Sequence, residues 1–210
     1  MKRFWALALA ALAATAGVDA QQVDMQAVML WSKAKVARFH VVGVYDKRTV
    51  IARGAGNYAQ GDVTDGLTLD FDWNIHDNMV VGDVKLQNDT AKLGQLASVA
   101  ANCRLPRPMG AYEHFTASKV RSSDGARIEV DGTRHYPDVE VAGCEADQSY
   151  KLVAAADEPL TEFVAVPNPM MLAVPGASAG GGNAVVAADR KSFTVKSNGW
   201  TWTYTPTPLP

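Results

Sequence analysis

The chain has 210 residues, a formal net charge of −2 and 48% hydrophobic residues. So mild a charge gives no reason to expect nucleic acid or an anionic membrane as a partner, and so apolar a composition excludes a disordered chain. Two cysteines, Cys103 and Cys144, stand far apart with no C-x-x-C spacing, which argues against a redox pair or a zinc-thiolate centre.

The N-terminus reads as a secretory signal peptide. Lys2 and Arg3 form a basic start, an apolar run follows from Phe4 to Ala14, and Val18-Asp19-Ala20 offers small or apolar side chains where a signal peptidase cuts. Cleavage is expected after Ala20. The apolar run is shorter than the roughly 20 residues that span a bilayer as a helix, so the mature chain is expected to carry no transmembrane span and to be periplasmic or secreted. In that compartment Cys103 and Cys144 are expected to pair. Their disulfide would close a loop of about 40 residues, contributing roughly 4 kcal/mol in the chain-entropy model.

Residues 22–33 fit helix or strand equally. From Ala34 to Tyr45 (AKVARFHVVGVY) the chain is Val-rich and extended, Asp46-Lys47 suggests a turn toward Thr49–Ala52, and Asp65-Gly66 suggests another before Leu67. Residues 69–78, LDFDWNIHDN, alternate apolar and polar side chains. With Asp77-Asn78 as a two-residue turn, Ile75 faces Val80, Trp73 faces Gly82, Phe71 faces Val84 and Leu69 faces Leu86. Gly82 would leave room for the Trp73 indole. On the wet face Asp70 meets Lys85, and Asp72 meets Asp83, two like charges in opposition. Asp70, Asp72, Asp83 and His76 are therefore candidate ligands for a cation, with calcium favoured by the carboxylates. Solvent exposure is the plainer account of the same face.

Thr90 to Asn102 could form a short helix, with Leu93, Leu96, Ala97 and Ala100 on one side. Arg104 to Gly110 (RLPRPMG) reads as a proline-rich connector that could join two halves of one domain spanning 21–205. Ser123-Asp124-Gly125 suggests a hairpin that sets Val120 against Ile128 and Lys119 against Glu129. Further strands are expected at 138–143, 149–155, 160–166, 170–174 and 184–188. The apolar stretch 163–174 (FVAVPNPMMLAV) carries Met170 and Met171, which suit an adaptable apolar surface, although its prolines mark an edge or bend.

Gly176 to Gly180 (GASAG) matches the nucleophile-elbow pattern around Ser178, but three glycines follow and no histidine lies downstream. The pattern lacks its strand–turn–helix setting and reads as a loop. None of His40, His76, His114 and His135 has metal-motif spacing. Asn198-Gly199 is the strongest hairpin signal, setting Val195 against Trp202, Phe193 against Tyr204 and Thr194 against Thr203. Trp200, Trp202 and Tyr204 then share a face, which could stack a ligand or fill a core. Residues 206–210 form a proline-rich extended tail.

These features predict an all-β, mostly antiparallel fold: a β-sandwich or open barrel of about ten short strands with at most one or two short helices. The functional expectation is an exported, non-catalytic β-rich module for the cell envelope. It would hold a small apolar or glycan ligand, or an envelope protein, through Trp200, Trp202, Tyr204, Met170 and Met171, with no catalytic residue and no cofactor. The competing expectation is a metal-dependent or acid/base enzyme centred on Asp70, Asp72, Asp83 and His76.

Overall fold

The computed structural model describes residues 23–54, 56–89, 91–99, 105–109, 115–123, 126–142, 150–155, 158–174 and 184–209. The expected signal peptide, Cys103, Cys144, His114 and the glycine loop around Ser178 lie outside the described residues.

The ambiguity at 22–33 resolves as a helix, α1 (Met25–Lys33). Asp24 caps it: its carboxylate accepts from the N–H groups of Gln26 and Ala27, both at 3.0 Å, satisfying two of the donors a helix start leaves unpaired. Trp31 is buried, while Met25, Met29 and Leu30 stay exposed.

Two long strands follow, β1 (Val36–Gly54) and β2 (Asn57–Asn74). They pair antiparallel from Val36 opposite Asn74 to Gly54 opposite Asn57. The turns expected at Asp46-Lys47 and Asp65-Gly66 do not form. The chain reverses near Gly56 instead, whose φ of 77° favours a residue without Cβ. Gly66 serves close approach rather than turning: a Cβ there would meet the Asp89 Cβ at 2.8 Å. The alternation of β2 runs unbroken from Ala59 to Trp73, with every second residue buried, so the pattern outweighs the local turn signal.

The expected helix at 90–102 is also a strand, β4 (Lys92–Val99), paired with β2 beside β3 (Met79–Asn88). A register shift at Gly61/Val63 is the cause. It brings Leu93 and Leu96 to the same side, both close over the missing side chain of Gly61. A β-bulge thus produces the i, i+3 spacing that reads as helical.

The proline-rich connector is likewise a strand. β5 (Leu105–Met109) pairs with β8 (Asp138–Ala142), which pairs with β9 (Tyr150–Ala154) and so joins the end of β1. β5 ends the strand order, where Pro106 and Pro108 can leave ladder positions unfilled. The expected strand at 170–174 is a 3-10 turn at Pro169–Leu172, capped by Asn168, whose Oδ1 accepts from the Met170 N–H at 2.9 Å. Proline at its first position sets the required φ.

β6 (Phe115–Ser123), β7 (Arg127–Arg134) and β10 (Glu158–Ala165) make a three-stranded sheet in the order β10-β7-β6. Val120 faces Val130 rather than Ile128, and Lys119 faces Asp131 rather than Glu129. The loop lies one residue later than expected, because Ser123 pairs with Arg127. A slip of two preserves the faces, so apolar still meets apolar. The left-handed residue that closes the loop is Ala126, at φ 57°. Ala126→Gly should therefore stabilise the fold by about 0.5–1 kcal/mol by removing a Cβ clash. A raised urea midpoint with unchanged slope would show it.

At the C-terminus β11 (Val185–Val186), β12 (Phe193–Ser197) and β13 (Trp200–Leu209) follow. The Asn198-Gly199 hairpin has the expected register, Val195 opposite Trp202 and Phe193 opposite Tyr204. Both turn residues have positive φ, 50° and 88°, the twist that matches paired strands. The tail is extended as expected and is itself sheet: β13 continues along β1 as far as Leu209 opposite Val36. Pro206 and Pro208 lie where β12 no longer pairs, so their missing N–H groups cost the ladder nothing.

The result is an all-β, antiparallel, sandwich-like fold whose sheets do not close into a barrel. One sheet has ten strands, in the order β11-β12-β13-β1-β9-β8-β5 with β2, β3 and β4 branching from β1. The core fills its inner face. Phe39 stacks on Phe71 at 5.4 Å between ring centroids, and Trp200 stacks on Trp202 at 4.8 Å. Phe115 of the small sheet meets Trp200 at 5.7 Å and joins the two layers.

Candidate charged cleft

The outer face of β1, β2 and β3 carries the charges. The hairpin expected here begins in register, Leu69 opposite Leu86 and Asp70 opposite Lys85. It then shifts by two, so that Trp73 faces Val80 and Asn74 faces Met79. The cause lies in the turn. Asn74 Oδ1 accepts from the N–H groups of His76 (2.9 Å) and Asp77 (3.1 Å), and its Nδ2 donates to Asp77 at 2.6 Å. This side-chain turn ends the strand two residues early. The surplus is absorbed in β3, where Gly82 takes φ 76° in a bulge. Room for an indole is found elsewhere, at Gly43 beside Trp202.

The acid-on-acid pair is thereby removed: Asp72 faces Val81, not Asp83. From the other side β1 brings Arg38 opposite Asp72. Arg38 donates to both carboxylate oxygens, Nε at 2.8 Å and Nη2 at 3.1 Å, a planar two-point fit. Those hydrogen bonds hold the Asp72 carboxyl below its ordinary range against the cost of partial burial, with the charges of Arg38 and Lys85 adding to the effect. The Arg38 guanidinium is raised in turn, chiefly by its hydrogen bond to Asp72.

The same ladder sets His40 against Asp70, with Nδ1 and Oδ1 2.8 Å apart. No motif spacing marks His40 in the sequence, and its partner becomes visible only when β1 is known to run straight on. His76, by contrast, sits in the turn and takes no part in the cleft lining. Among the described residues no three His, Cys, Asp or Glu side chains come together as a group able to hold a metal ion.

Bulge and charges together open a cleft of about 460 Å³. Arg38, Asp70, Asp72, Asp83 and Lys85 line it, with Phe71 and Val81 as its apolar contribution. Asp70 and Asp72 are internally matched. The side chains of Asp83 and Lys85, on the lip formed by β3, make no hydrogen bond or ion pair within 4 Å among the described residues, although the Lys85 charge acts on Asp72.

The aromatic ladder is core rather than surface. Trp200 and Trp202 are 1% exposed and Tyr204 is fully buried, so none of the three is open to a ligand from solvent. Burial pushes the Tyr204 phenol well above its ordinary range. Val195 and Phe193, opposite Trp202 and Tyr204, are buried with them, so the threonines between face outward. Met171 is buried and Met170 half-buried in the 3-10 turn. A second cleft of about 130 Å³ between Trp73, Val166 and Pro169 is lined by neither methionine.

No helix among the described residues is long and apolar enough to cross a membrane. No protein-family model matches the chain, and no curated protein or solved structure matches it either.

Proposed function

We propose that the protein is an exported, non-catalytic binding module of the cell envelope, and that it takes a polar, glycan-type ligand in the charged cleft. The carrying observation is the lining: five of the seven residues around the 460 Å³ space are charged. Arg38 and Asp72 are prearranged by a two-point pair. A guanidinium and carboxylates held side by side offer donors and acceptors to hydroxyl groups, and their internal pairing limits what the ligand must desolvate. Phe71 is 3% exposed, so the apolar contact the cleft offers beside its charges comes chiefly from Val81, 46% exposed. The lining contains no serine, threonine or cysteine nucleophile.

Titration with N-acetylglucosamine oligosaccharides, neutral, acidic and basic in turn, tests this by amide chemical shifts. Saturable shifts centred on Arg38, Asp70, Asp72 and Val81 are expected with at least one probe. Arg38→Ala should weaken that binding about tenfold, the value of one charge-assisted hydrogen bond. Silence with all three probes would overturn the reading.

A second reading, acid/base catalysis, is favoured by one observation: the 2.8 Å His40–Asp70 contact, with Thr205 opposite His40 on β13. A carboxylate that orients a histidine beside a hydroxyl has the parts of a nucleophile–base pair. Hydrolysis of a probe, lost in His40→Ala, would establish this second reading in place of the first.

A further inference from the structure

We infer that β3 is a self-complementary edge through which two copies of this chain associate, and that the partner copy completes the lip of each cleft. Within the chain β3 pairs with β2 alone, and no described strand pairs with its other edge. β6 packs against β3, and at the strand end Asn88 Oδ1 accepts from the Ala117 N–H of β6 at 3.0 Å. Met79 and Val81 are 50% and 46% exposed, large apolar side chains at the opposite end of the strand.

The charges decide the occupant. Asp83 and Lys85 stand on either side of Val84, line the same cleft and make no ion pair among the described residues. An antiparallel pairing of two β3 strands about a two-fold axis at Val84 sets Asp83 opposite Lys85 of the partner subunit, and Lys85 opposite Asp83 of the partner subunit. One strand thus supplies both halves of two cross-strand ion pairs, as an isologous interface requires. The axis stands perpendicular to the sheet, so both outer faces look the same way and the two clefts adjoin. Each cleft then has a wall from either copy. The bulge at Gly82 limits this ladder to Asp83–Lys85 of each copy, and Met79 and Val81, which precede the bulge, lie outside it. Association in solution is the measurable consequence.

Sedimentation velocity of the mature chain over a range of concentrations supplies that measurement, with the surface variants D83K and K85D. The wild-type chain should dimerise. Each variant alone brings like charges together and should weaken association by about tenfold or more. Mixing D83K with K85D should restore a heterodimer. One strand is then basic at both positions and the other acidic at both, so each contact across the axis again joins opposite charges. The double variant D83K/K85D should restore the homodimer, since it only exchanges the two charges. A monomer at every concentration, a dimer indifferent to both variants, or variants that fail to rescue one another would each overturn the inference.

Discussion

Asp65→Ala should destabilise the protein by about 3–5 kcal/mol, the cost of leaving a buried charge without its partner. Asp65 and Arg134 are 1% and 2% exposed. Arg134 Nε donates to Asp65 Oδ2 at 2.9 Å, and Nη2 lies 2.7 Å from the same oxygen. The guanidinium carbon rests 4.0 Å from the centre of the Tyr45 ring, with Phe115 farther off at 5.8 Å. Burial works against the arginine charge, yet Asp65 and the neighbouring Tyr136 and Tyr45 outweigh it, so the guanidinium stays raised. Asp65 belongs to β2 of the large sheet and Arg134 to β7 of the small one. The pair therefore ties the layers together at a point where water cannot substitute. Removing both charges should cost much less than removing one, since Asp65→Leu with Arg134→Met leaves no isolated ion. Urea unfolding of the two single variants and the double variant gives the comparison. A double variant as unstable as Asp65→Ala would show that the charges matter for something other than each other.

Trp202→Ala should cost a similar 3–5 kcal/mol, roughly the usual penalty for truncating a large buried aromatic. Trp202 is 1% exposed and stacked on Trp200, which in turn reaches Phe115 and Tyr45. Its ring lies across Gly43, the residue opposite it in β1. A Cβ at position 43 would fall inside the van der Waals reach of three Trp202 ring carbons. Gly43→Ala should accordingly cost about 1–3 kcal/mol through overpacking. The two changes share one space, so they should not add: the methyl at 43 enters the volume that Trp202→Ala vacates. Denaturation of the single and double variants measures this coupling. Strict additivity would mean that the ring does not depend on the glycine.

Much of the sheet was legible because it is written locally. Asn198-Gly199 specifies a tight turn, and once the turn is known the register from Phe193 to Tyr204 follows by counting. The two-residue alternation from Leu69 to Trp73 likewise names its buried face without reference to any partner. The errors have a common origin. Asp46-Lys47, Asp65-Gly66 and the prolines at 106 and 108 carry local signals for turns or linkers, and each was overruled by a strand pairing with residues distant in the chain. At Leu93 and Leu96 a bulge opposite Gly61 altered the period itself.

The charged cleft shows the same division. Strand alternation alone turns Asp70 and Asp72 away from the core, and counting along a short hairpin is enough to bring Asp70 to Lys85. That Arg38 and His40 answer those two aspartates could not be counted, since side-chain contacts spanning 34 and 30 residues depend on β1 lying beside β2. Nor could the parting of Asp72 from Asp83, in which an asparagine side chain lengthens the turn and a glycine bulge takes up the two surplus residues. A residue's φ/ψ preference is local, whereas its partner is set by how distant strands share one layer.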